Sequence, residues 1–119
     1  MSINLAIVGS RNFNDYKLFC KHVDNWIKEN GVPDELVSGG AYGADSLCQK
    51  YADEFLIPIK VFPAQWNKYG KGAGPLRNTL IVEHATRMLA FPSRKGSGTQ
   101  DSIRKAKEKN INVKVIYSD

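Results

Sequence analysis

Apolar residues along this chain follow two rhythms. Short, nearly continuous apolar runs alternate with longer stretches in which apolar residues recur every three or four positions. The run over 3–8 reads as a buried strand that ends at Gly9. Over 15–30, Phe19, Val23, Trp26 and Ile27 share one helical face, and Gly31 closes the helix. A short strand follows over 36–38. A second amphipathic helix over 43–56 carries Ala44, Leu47, Cys48, Tyr51, Ala52 and Phe55 on one stripe, with Pro58 beyond its end. The pattern then predicts a strand over 59–62, a helix over 75–85, a strand over 87–91, a helix over 99–110 and a strand over 112–117.

Strands and helices that alternate in this way call for a mostly parallel sheet covered by helices on both faces. The expected architecture is an α/β, three-layer Rossmann-like sandwich on a mostly parallel five-stranded sheet. It forms one domain over 1–119, a length that buries a real core. In such sheets ligands bind beyond the carboxyl ends of the strands, where the strand order reverses. The loops at those ends are therefore the candidate chemistry.

The first loop, 9–13, brings Gly9, Ser10 and Arg11: a sharp turn, a hydroxyl and a guanidinium suited to clamping phosphate. It is not a GxGxxG, so no dinucleotide cofactor is expected. The second, 38–45, runs from a strand through Gly39, Gly40 and Gly43 into a helix. Glycines allow close backbone approach, and helix N-termini attract anions, so this turn is a candidate phosphate seat. Asp45 in the first helical turn complements the helix dipole, and it can also bond ribose hydroxyls or the loop backbone. Tyr42 at the loop tip is a candidate for stacking on a base. The third loop, 63–74, is long, anchored by Trp66 and Tyr69, and contains Gly70, Gly72 and Gly74. It opens into a helix carrying Arg77 and Asn78. The fourth, 92–101, reaches a helix start at Gly98 and Thr99, a second anion-seat pattern.

Composition narrows the partners. The 17 Lys and Arg against 12 Asp and Glu give a net charge of +5, which suits an anionic partner, nucleotide or nucleic acid. No apolar run approaches the about 20 residues a bilayer span needs, so no membrane association is expected. The N-terminal residues show no secretory pattern. Cys20 and Cys48 are isolated, which fits reduced thiols and a cytoplasmic protein. His22 and His84 lie far apart, so no metal site is expected. Ser10 has no adjacent His and no GxSxG elbow, which argues against serine catalysis.

The segments GSRNF at 9–13, SGGAYGAD at 38–45, FPAQWNKYGKGAGPLRN at 62–78 and AFPSRKGSGTQDSIRKA at 90–106 together resemble the SLOG superfamily. More narrowly, they resemble its YspA/YpsA-related branch of small stand-alone proteins. The resemblance spans nearly the whole chain. It implies a Rossmann-like fold and a ligand of the nucleotide class, without fixing one activity; a sensor or sequestering module is the leading reading of the loops. The superfamily also includes the LOG phosphoribohydrolases, whose PGGxGTxxE motif ends in a catalytic Glu, and DprA-type DNA-binding proteins. Ser102 stands at that Glu position, and Asp101 is turned about 100° from it on a helix. N-glycosidic hydrolysis would thus need Asp45, Asp101 or Glu83 as the acid. Single-stranded nucleic-acid binding is the further alternative, supported by the charge and by Tyr42, Trp66 and Tyr69. The helix faces are also compatible with a homo-oligomer.

Overall fold

The fold is described from a computed structural model covering residues 2–94 and 98–117. Five strands alternate with helices: β1 (Asn4–Gly9), α1 (Tyr16–Asn30), β2 (Glu35–Ser38), α2 (Ala44–Phe55), β3 (Ile59–Val61), α3 (Trp66–Tyr69), a 3-10 turn (Gly70–Gly72), α4 (Ala73–His84), β4 (Arg87–Phe91), α5 (Gly98–Glu108) and β5 (Asn112–Val115). All strand pairs are parallel, and the order is β3-β2-β1-β4-β5. The chain builds outward from β1 in one direction through β3, then returns to β4 on the other side of β1. The order therefore reverses between β1 and β4.

The central strands are buried on both sides, and their alternation divides the core in two. Leu5 and Ile7 of β1, Leu36 of β2, and Leu89 and Phe91 of β4 pack against Phe19, Val23 and Trp26 of α1 and Cys48 and Tyr51 of α2. Ala6, Val8, Val37, Met88 and Ala90 face the other way, onto Ile81 and Val82 of α4 and Ile103 and Ala106 of α5. Two helices on each face make the three layers. The ring of Phe91 packs against Phe13 and Phe19, with centroids 5.1 and 5.3 Å away. Each fully buried Phe of this kind contributes about 2–3 kcal/mol.

Local signals explain both ends of α1. Asp15 is the N-cap of α1, its carboxylate accepting from the Leu18 N–H at 3.1 Å. Gly31, at φ +96°, donates to Ile27 O and stops that helix. Cys48 is fully buried and Cys20 partly so, both as free thiols.

The segment 63–74 departs from the expected long loop. α3 and the 3-10 turn occupy most of it, and α4 starts at Ala73, which puts Pro75 at its third position. Pro75 is tolerated there because first-turn N–H groups have no intrahelical partner. β3 ends at Val61, α5 at Glu108 and β5 at Val115, each a little short of the sequence expectation.

Candidate functional site

A cleft of about 600 Å³ opens at the carboxyl ends of the strands, where the order reverses. It is lined by Gly9, Ser10, Arg11, Asp45, Trp66, Gly74, Arg77, Asn78, Gly98 and Thr99, ten of the residues singled out from sequence. Val8, Asn12, Ala41, Pro75, Ile81, Asp101 and Ser102 complete the lining. Val8 and Ile81 are core positions that form the apolar floor, and no sequence signal separates them from the rest of the core. Lys95, Gly96 and Ser97 of the fourth loop lie outside the described residues.

The glycine turn at 38–45 behaves differently from an open phosphate seat. Asp45 is 8% exposed, and its carboxylate accepts from the Ala41 N–H at 3.1 Å. The Gly40 N–H donates to the Ser38 hydroxyl, and the Ala44 N–H to the Ser10 carbonyl. The loop thus binds an anion of its own. Gly43 (φ +75°) lies so close to the first loop that a Cβ there would sit 2.2 Å from Ser10 O. Gly39 lies under Arg77, with a built Cβ 2.4 Å from its Nη1. Gly39, Gly40 and Gly43 are therefore absent from the cleft lining. Gly43 leaves room for the first loop, Gly39 for the Arg77 side chain and Gly40 for Val61, a use that sequence alone could not distinguish from ligand approach. Tyr42, 82% exposed, also lies outside the cleft lining.

Burial pushes the Asp45 carboxyl up to about 6, against the opposing pull of the Ala41 N–H, Arg77, the Gly39 N–H and Arg11. Arg77 feels the converse: burial lowers its pKa, Asp45 opposes the shift, and Arg11 adds to it. Two guanidinium groups thus repel each other across one cleft. Arg77 donates from Nη1 to Gly39 O at 2.8 Å and from Nε to Asn78 Oδ1 at 3.0 Å. Among the described residues, neither Arg11 nor Arg77 forms a salt bridge.

Asn78 ties the loops around the cleft together. Its Nδ2 donates to Asp101 Oδ2 at 3.1 Å and to Gly98 O at 3.4 Å, while its oxygen receives Arg77. Side chain and backbone link the turn at Gly39 through α4 to the first turn of α5. Asp101 lines the cleft, contrary to the orientation expected from its helical position, but its carboxylate is fully engaged. It also pairs with Arg104 at 2.7 Å and Lys105 at 3.0 Å. Burial alone would raise its pKa; donation from Lys105, Asn78 and Arg104 together holds it below the ordinary value. Glu83 is exposed and outside the cleft. Of the three acids considered for glycosidic cleavage, one is absent from the cleft and two are held by other groups. Ser102, buried, lines the cleft at the position expected for a catalytic Glu.

Fold and site define a Rossmann-like α/β protein with an arginine-bearing cleft at the strand-order switch point. The chain belongs to the YspA, cpYpsA-related SLOG family, whose model matches residues 3–69. It is 30% identical over 115 residues to the Gene 61 protein of Mycobacterium phage D29, covering 92% of each chain. Its fold is similar to two solved structures of DNA processing protein A. That from Streptococcus pneumoniae has a TM-score of 0.74 at 20% identity, with 96% of this chain and 50% of that one aligned. The Helicobacter pylori protein, studied for its single-stranded DNA binding mode, has a TM-score of 0.64 at 21% identity, over 95% and 64% of the two chains. This chain thus spans between half and two thirds of those proteins. Among the described residues, no helix is long and apolar enough to cross a membrane.

Proposed function

We propose that the cleft binds a nucleotide or nucleotide-derived ligand, as a sensor or sequestering module. The observation that carries this reading is the pair of guanidinium groups, Arg11 and Arg77, that line one cleft and repel each other with no salt-bridged acid among the described residues. An anion between them relieves that repulsion, and a phosphate offers each a charge-assisted bond. Gly98 and Thr99 at the start of α5 add backbone amides and a hydroxyl on the same side. Asp45 supplies a partly desolvated acceptor suited to a ribose hydroxyl. Calorimetric titration against nucleoside mono- and diphosphates tests the reading. Binding should weaken about tenfold or more in Arg11→Ala, since a hydrogen bond to a charged group contributes about 1.5–3 kcal/mol. No heat from any nucleotide at millimolar concentration would refute it.

A second reading has its own support. Exposed rings at the strand-end rim each lie under a cation: Trp66 under Arg11, Tyr69 under Lys68 and Tyr117 under Arg94. Stacking faces beside positive charge suit a single-stranded nucleic acid. The Helicobacter pylori protein of similar fold, studied for its single-stranded DNA binding mode, points the same way. Anisotropy with a fluorescent oligothymidine decides it: affinity should fall steeply with added salt.

A further inference from the structure

We infer that the indole of Trp66 is the platform on which the base of the bound nucleotide stacks, on the face that Arg11 covers in the free protein. The inference rests on the nucleotide reading above and adds the place and chemistry of the base. Trp66 opens α3, lines the cleft and remains 49% exposed. The other tryptophan, Trp26, is 4% exposed in the core. Tyr42, the ring that the sequence offered for stacking, projects into solvent outside the cleft lining.

The indole is seated from one side. A Cβ at Gly74 would come within 3.3 Å of Trp66 Cη2, so the edge of the ring rests on the first turn of α4, where a glycine leaves room for it. Arg11 lies over the ring, its Cζ 5.9 Å from the ring centroid. Arg11 is itself exposed, on a long unbranched stem. A guanidinium drawn to the phosphate, as the nucleotide reading has it, uncovers that face, and a planar base stacks on the indole at about 3.5 Å. The base then rests on the indole face, with the Arg11 cation beside it. Such a seat holds purines and pyrimidines alike, because stacking reads a π face and not a pattern of donors. It also orients the ligand, with the base at the Trp66 mouth and the phosphate end toward Arg77.

The test compares adenosine 5′-monophosphate with ribose 5-phosphate, which has the phosphate and sugar but no base. Calorimetry gives the affinities, and tryptophan emission reports the ring, since Trp26 is shielded in the core. The monophosphate should bind about tenfold or more tightly than ribose 5-phosphate and should quench emission, which ribose 5-phosphate should not. Trp66→Ala should bring the two affinities together, and Trp66→Phe should restore most of the difference. The Phe variant separates loss of stacking from loss of fold. Equal affinities in the natural protein, or a full preference retained in Trp66→Ala, overturn the stacking site and leave the nucleotide reading standing. Binding of neither compound, with no heat from any other nucleotide at millimolar concentration, overturns both.

Discussion

A single side chain, Asp45, converts the glycine turn from an open anion seat into an occupied one. Its carboxyl is raised to about 6 chiefly by burial, while an unfolded chain would hold it near the ordinary value of 3.8. Between those values the folded protein binds a proton that the unfolded chain releases. The stability associated with that proton is complete below about 4 and is lost as pH rises through 6. A shift of about two units corresponds to about 3 kcal/mol for so buried a group. The stability difference between the natural protein and Asp45→Asn should therefore move by about that amount against the natural protein from pH 4 to pH 7. Denaturant melts at both pH values check it, and a difference independent of pH would show that Asp45 titrates normally. The same residue shows what was legible at this scale. An acid in the first turn of α2 could be seen in sequence, and bonding to the loop backbone was one expected use. That it fills the amides otherwise offered to a phosphate follows from the folded turn alone.

At the level of elements, strand and helix identities were readable because apolar periodicity directly reports which faces are covered. The ends were readable where a side chain or glycine acts locally, as Asp15 and Gly31 do for α1. They were not where tertiary packing overrides propensity. Three glycines in 70–74 read as a loop, yet Ala73 and Gly74 are buried, and the contact with Trp66 carries helix through the segment. The end of α2 has a local weakness. Leu56 closes it in the left-handed conformation at φ 55° and is 89% exposed. A side chain pays about 1 kcal/mol or more for that conformation, which glycine adopts freely. Leu56→Gly should stabilise the protein by about 0.5–1 kcal/mol, read as a higher urea midpoint at unchanged slope. A lower midpoint would mean that Leu56 makes contacts that outweigh its strain.

Across the whole molecule, the strand order places β1 and β4 in the middle and β3 and β5 at the edges. Leu5, Ala6 and Ile7 of β1 and Met88 to Phe91 of β4 are completely buried, and both sides of these strands are covered by helices. Their amides should exchange with solvent only through near-global opening. Amides of β3 and β5 should exchange at least tenfold faster, as measured by native-state hydrogen exchange. Comparable rates in edge and centre would indicate that the sheet opens as one unit.

The sequence by itself determined the fold class, because covered faces impose their periods on the chain and alternating elements leave few topologies. It also marked most of the cleft, because glycines, arginines and helix starts cluster after strands whatever their order in the sheet. Only the tertiary structure decided what those residues do. Gly39 and Gly43 make room for other parts of the protein, Asn78 ties α4 to α5, and Tyr42 faces solvent. Trp66 and Arg11, more than fifty positions apart in sequence, meet across the cleft mouth. Such pairings depend on which loops the strand order brings together in space, and local sequence carries no record of that.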